Sequence, residues 1–457
     1  MATKRIRDIN PYTEKVITTI ACATPAEVRS AVTRARKAQP DWAAMALDER
    51  SACMERAIKM IEARSEALAR EVTRETGKPI KEARGEVGAA QRRVRIICEK
   101  ALSALGRGPQ LGDEKVRGTV VREPLGVFGI ITAWNYPISV SCQGIVSALL
   151  AGNAVVFKPS ELTPLAGQAL GAIWAACVPQ DVFIQIDGAD ETGKALVGSD
   201  VDGIGFVGSG AVGKAIMKAS AKRLHRVSLE LGGKDPAIIC HDADIARVAK
   251  RMIGGALWNC GQECNSVERL YVDRRVAKEF LDRFVAEVKR LKMGDPMKET
   301  TDIGPMITKE QRRRVDEHVR DAVNRGAKVL TGGKIPKRRG FFYEPTVLTG
   351  VDHTMRCMRE ETFGPTAPVM AFDSEKEAVA LANDSVYGLT ASVWSADVAR
   401  AQGIARRLVA GIRAVNGTGA ANPHFPWGGA KESGLGRLMG PDPFAEFVDE
   451  RSVFVVS

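Results

Sequence analysis

From Gly112 onward, short apolar, β-branched runs alternate with amphipathic stretches of helical period, and no other feature of the chain restricts its fold as much. Val116–Val121 is rich in β-branched residues, and Gly126–Ala133 is almost wholly apolar. Ala154–Phe157, Val182–Ile186, Ile204–Val207 and Pro236–Cys240 read as strands, with helical patterns near 164–177, 190–196, 211–222 and 243–259. A strand that is apolar at every position is buried on both faces, and helices between successive strands are what cover it. A second alternation runs through Leu270–Val272, Lys328–Leu330, Val369–Phe372 and Thr390–Trp394, separated by charged amphipathic helices at 276–291, 309–325, 375–384 and 397–408. The expected fold class is therefore α/β, with two doubly wound units joined near residue 230. Upstream, residues 26–104 carry helical spacing, entered at Thr24-Pro25-Ala-Glu27 and broken at Gly77-Lys-Pro79. The tail, Arg451–Ser457, reads as an apolar strand without a place in either unit, so it is expected to find its partner in an oligomer.

A chain of 457 residues exceeds one ordinary core. Its 45% hydrophobic and 26% charged residues exclude disorder, and its longest apolar run, Ile145–Phe157, is interrupted at Gly152 and Asn153. Crossing a bilayer takes roughly 20 apolar residues, so no membrane partner is expected. The basic start at Lys4-Arg5 has no apolar stretch behind it, and the nine cysteines are scattered. Both point to a cytoplasmic, reduced protein. The formal net charge of +11 is spread among interleaved acids, as in Lys81-Glu-Ala-Arg-Gly-Glu86. With only 5% aromatic residues, that pattern is a solvated surface and not a nucleic-acid face.

Two local motifs carry chemistry. Gly208-Ser-Gly-Ala-Val-Gly213 has GxGxxG spacing between a strand and a helix, where backbone N–H groups can meet a phosphate. In a chain with 44 glycines the spacing alone is weak, and the acid about twenty residues on would be Glu230. Trp258-Asn-Cys-Gly-Gln-Glu-Cys-Asn265 holds two cysteines four apart; metal ligation, inert burial and nucleophilic chemistry are all open to such a pair. No second Cys or His pair lies nearby, so no metal site is expected.

Eight segments, in order, resemble the aldehyde dehydrogenase superfamily over nearly the whole chain. They are Pro124–Pro137 (which contains Trp-Asn-Tyr-Pro), Gly152–Glu161, Phe206–Ser209, Leu229-Glu-Leu-Gly-Gly-Lys234, Gly261-Gln-Glu-Cys264, Glu361-Thr-Phe-Gly-Pro365, Asn383–Gly388 and Pro426–Arg437. The resemblance implies two doubly wound α/β domains plus a small β oligomerisation arm. By it, residues 1–105 and 126–229 form the NAD(P)-binding domain and 230–432 the catalytic domain. Residues 106–125 and 446–457 form the arm of a homodimer or homotetramer.

It further implies that Cys264 is the nucleophile, that Asn135 and the Cys264 N–H receive the oxyanion, and that Glu230 is the base for the water that releases the acid. Trp134, Lys158, Ser160, Glu161, Gly208, Ser209, Glu361 and Phe363 fall at cofactor positions, with Glu161 favouring NAD over NADP by repelling a 2′-phosphate. The GxGxxG match is then partly coincidental. The segment Arg74–Glu86 is most similar to succinate-semialdehyde members, yet the two positions where those carry arginines hold Gln143 and Trp258. A neutral or apolar small-molecule aldehyde is accordingly expected, with succinate semialdehyde as the alternative. Tyr136, Val140, Gln143, Trp258, Phe425 and Trp427 are the candidate pocket wall. Retention of Glu230 favours release to water over transfer to CoA.

Overall fold

Strands of unbroken apolar sequence gather into two separate sheets in the computed structural model, which describes residues 4–456 other than 107, 109, 114 and 420. Single positions of the expected domain segments (1–3, 107, 109, 114, 420 and 457) lie outside the described residues. In the first sheet the strand order is Gly434–Leu435, Arg226–Glu230, Gly203–Val207, Val127–Ile131, Ala154–Lys158 and Phe183–Gln185. Only Gly434–Leu435 runs antiparallel to its neighbour. Alternate residues face opposite ways along a strand, and the packing follows that period. Val127, Ile131, Ala154 and Val156 pack with Val28, Val32 and Ala35 of the helix Pro25–Ala44. Phe128, Ile130, Val155 and Phe157 instead pack against the helices Leu47–Ala63, Ile80–Leu105, Ser139–Leu150 and Pro164–Cys177.

The second sheet has the order Lys328–Thr331, Thr346–Thr349, Thr366–Phe372, Val267–Asp273, Asp235–Ile239, Thr390–Trp394 and Ile412–Val415. Its strands are parallel except for the first pair. The expected strands all form, but Thr346–Thr349, Ile412–Val415 and the hairpin Arg5–Ile9/Val16–Ala21 were not anticipated. The predicted helix 243–259 ends at Ala256, where the chain turns toward a loop. The helical break falls at Gly77, whose φ of +77° is left-handed and whose missing Cβ makes room for the Pro305 ring.

The tail expectation needs correction. Val448–Val456 pairs antiparallel with Val116–Pro124 of the same chain, from Val448 opposite Pro124 to Val456 opposite Val116. The β-branched run at 116–121 supplies the partner that the tail lacks in either large sheet. Among the described residues no helix is long and apolar enough to cross a membrane.

Candidate active site

The strand Arg226–Glu230 is the last of the first sheet to run parallel, and after Gly232-Gly233 the chain enters the second sheet at Asp235. Glu230 therefore stands where the two sheets meet. A cavity of about 430 Å³ opens there, at the carboxyl ends of Val127–Ile131, Gly203–Val207 and Arg226–Glu230. Such ends are where open parallel sheets take up ligands. The first unit contributes Trp134, Asn135, Tyr136, Val140, Gln143, Gly208, Ser209 and Glu230 to its wall. From the second come Trp258, Cys264, Glu361, Phe363 and Trp427.

The loop that delivers Cys264 is strained. Asn259, Cys260 and Gly261 have φ of 49°, 57° and 70°, a left-handed run that costs on the order of 1–3 kcal/mol for each non-glycine residue. Fixed hydrogen bonds hold it. The Asn259 N–H donates to Glu82 at 2.9 Å, Asn259 Nδ2 donates to the carbonyls of Asn135 and Gln262, and the Ile307 N–H donates to Gln262 Oε1 at 3.0 Å. A Cβ at Gly261 would strike the carbonyl of Gly364.

Buried charge sets the chemistry of the pair. Burial pushes the Cys264 thiol well above its usual range, and the neighbouring Glu230 carboxyl adds to that. Burial likewise raises Glu230 to about 7, with Cys264 and Trp427 pulling the other way. Glu230 Oε1 has no hydrogen-bond partner among the described residues. Asn135 Nδ2 donates to the Gln262 carbonyl at 3.1 Å and retains a second N–H. The Asn135 carbonyl accepts from the buried Lys78 Nζ at 2.7 Å, and Lys78 pairs with Glu86. These contacts tie the Trp-Asn-Tyr-Pro segment to the helix Ile80–Leu105.

Across the cavity, Glu361 and Phe363 are held just as firmly. Lys234 Nζ pairs with Glu268 at 2.5 Å, both fully buried, and Glu268 accepts the N–H groups of Thr362 and Phe363 at 2.7 and 2.8 Å. The Gly233 N–H donates to Glu361 Oε1 at 3.0 Å; a Cβ on Gly232 would collide with that carboxyl. Phe363 meets Trp134 edge to face, with ring centroids 5.3 Å apart. Ser209 caps the helix Gly210–Ser220.

Not every expected residue lines this cavity. Phe425 does not: it is 65% exposed, because the turn Asn422–Phe425 carries its ring to the surface. Lys158, Ser160 and Glu161 also lie off the wall, at the carboxyl end of the adjoining strand, where Lys158 Nζ sits 3.4 Å from Glu161. Sequence reading passed over Arg93, Glu263, Gln311 and Arg314, all on the wall. Glu263 was detectable by its place next to Cys264; it accepts the Tyr136 hydroxyl. Arg93 gave no signal, being one of many basic residues on a long helix. Cys260 is buried against Met306, and among the described residues no group of three or more His, Cys, Asp or Glu side chains could hold a metal ion.

Comparison with known proteins agrees with this architecture. The model of the aldehyde dehydrogenase family matches residues 1–453. Aminoaldehyde dehydrogenase 2, peroxisomal, from Pisum sativum is 37% identical over 96% of this chain and 90% of that protein. Glutarate-semialdehyde dehydrogenase from Pseudomonas putida is 37% identical over 94% and 90%, respectively. The crystal structure of betaine aldehyde dehydrogenase from Staphylococcus aureus in complex with NAD+ superposes with a TM-score of 0.96 at 33% identity, covering 99% of this chain and 92% of that one. This chain belongs to the aldehyde dehydrogenase family, and is an oxidoreductase that acts on the aldehyde group.

Proposed function

We propose that the enzyme oxidises a small aldehyde to its carboxylic acid through a thioester on Cys264, with NAD as the favoured acceptor and NADP as the alternative. What carries this reading is one juxtaposition. A half-buried thiol and a buried carboxyl raised to about 7 perturb each other in a cavity that also presents the amide of Asn135. Glu230, poised near neutrality, can accept the thiol proton. The Cys264 sulfur then adds to the aldehyde carbon, and the carbonyl oxygen becomes an oxyanion. The second N–H of Asn135 Nδ2 and the Cys264 N–H, which has no hydrogen-bond acceptor among the described residues, are suited to receive it. After the hydride departs, a thioester remains. Once Glu230 has released the thiol's proton to solvent, it takes a proton from water, the hydroxide adds to the acyl carbon, and the acid leaves as that proton passes to the sulfur and restores the thiol.

The groove at the carboxyl strand ends fits a dinucleotide. Gly232 leaves room beside the Glu361 carboxyl, and Ser209 opens a helix whose N-terminal dipole favours a phosphate. Lys158, Ser160 and Glu161 would hold the adenosine ribose, with Glu161 partly exposed at the groove's far end. Trp134, Gly208 and Ser209 would hold the pyrophosphate, and Glu361 with Phe363 the nicotinamide end. The nicotinamide, when bound, supplies the hydride acceptor. In this reading residues 1–105 and 126–229 bind the cofactor, 230–432 carry the catalysis, and 106–125 with 446–457 assemble the oligomer.

Two variants test the mechanism. Cys264→Ala should lose aldehyde oxidation by at least about 10³-fold while still binding NAD. Glu230→Gln should release one equivalent of NADH quickly and then stall, with an acyl adduct on Cys264 visible by mass spectrometry. Steady turnover by the Glu230 variant at the unmutated rate would remove it from the role of base.

A further inference from the structure

Arg93 projects from the helix Ile80–Leu105 onto the wall of the cavity that holds Cys264 and Glu230. It is half-buried, and its one hydrogen bond among the described residues runs from Nη1 to Ser139 Oγ at 3.4 Å. No carboxylate of the described residues forms an ion pair with it. Of its acidic neighbours, Glu86 is committed to Lys78 and the Ile138 N–H, while Glu230, the base assigned above, makes no ion pair or hydrogen bond with it among the described residues. A guanidinium offers five N–H donors in a planar fork, and leaving most of them unmatched where the side chain is half-buried is costly. Ser139 begins the helix that carries Val140 and Gln143, so Arg93 stands on the wall expected to meet the aldehyde, not beside Ser209 or Glu361.

We propose that Arg93 is a specificity-determining residue that receives a carboxylate on the substrate's tail, so that the enzyme's substrates are aldehydes bearing an acid group (ω-oxo acids). This rests on the reading of Cys264 given above. It also replaces the neutral aldehyde expected from Gln143 and Trp258: both do line the cavity without charge, but the cation arrives from a third element. A carboxylate is the natural complement of the arginine fork, since it can accept two parallel hydrogen bonds. A cationic tail would be repelled by it.

The test compares the unmutated enzyme with Arg93→Met and Arg93→Lys. NADH formation is followed for succinate semialdehyde and butanal, which share a four-carbon chain, and for glutarate semialdehyde and pentanal. The ratio of kcat/KM for oxo acid over alkanal should fall on the order of 10- to 100-fold in Arg93→Met, mainly through KM, and should be partly restored by lysine. A ratio that Arg93→Met leaves unmoved, with alkanals still oxidised, overturns this proposal alone. An unmutated enzyme that oxidises none of the four aldehydes overturns the reading of Cys264, and this one with it. Calorimetry on the unmutated protein avoids any dependence on the variant's folding: succinate should bind at least tenfold more tightly than butane-1,4-diol. Equal or undetectable binding of the two would also overturn the proposal.

Discussion

Glu230 illustrates how burial tunes a single side chain. Desolvation raises its carboxyl to about 7, so it changes charge within the range where an enzyme operates. A base must be ionised to act, which fixes the sign of the pH response. Thioester hydrolysis should be slow below pH 7, climb as the carboxyl ionises, and level off above about pH 8. Single-turnover measurements on the acyl-enzyme would display this, and a flat profile from pH 6 to 8.5 would assign the proton transfer to another group. That Cys264, Glu230 and Asn135 belong together was legible in the sequence, because each sits in a short segment whose neighbours match a family pattern, and all three line the cavity. Arg93 was not. The role proposed for it rests on an absence, since no described residue forms an ion pair with it at the cavity wall, and sequence order does not report missing partners.

At the scale of elements, the site is held by pairs of buried charges that lock loops to helices and strands. Lys234, at the entry to the strand Asp235–Ile239, pairs with Glu268 on the next strand, and Glu268 caps the backbone of the Glu361–Phe363 segment. Removing one partner of a fully buried pair leaves an uncompensated charge. Lys234→Met is therefore expected to destabilise the fold by about 3–5 kcal/mol, read by denaturant unfolding. A loss below about 1 kcal/mol would mean that Glu268 finds another partner or takes up a proton at little cost. The elements themselves differed in legibility. Val127–Ile131 and Ala154–Lys158 are buried at every position and announce themselves as apolar runs. Thr346–Thr349 does not, because four residues flanked by threonines become a strand only through pairing with Thr366–Val369.

For the molecule as a whole, the three-stranded sheet raises a question of assembly. Val448–Val456 is an edge strand, and Val453, Phe454, Val455 and Val456 are each 57–71% exposed. Successive residues face opposite sides, so both faces of this strand are bare in the single chain. Exposed apolar edges tend to be covered, which accords with the oligomer proposed above. Replacing Phe454 and Val456 together with lysine should shift the enzyme to a smaller species by light scattering, with its circular dichroism intact. An unchanged mass would locate the assembly surface elsewhere.

The order of elements, the two-unit α/β plan, the break at Gly77 and the choice of Cys264 and Glu230 as residues of one site followed from the sequence alone. These depend on periodicity, on backbone preference and on contiguous motifs, all of which are local. Only the tertiary structure decided where the tail strand pairs, that Phe425 faces solvent, and that Arg93 joins Cys264 and Glu230 at one cavity. For the tail and for Arg93 the physical reason is the same: pairing partner and electrostatic neighbourhood are set by segments tens to hundreds of residues away. No window along the chain contains both sides of such a contact.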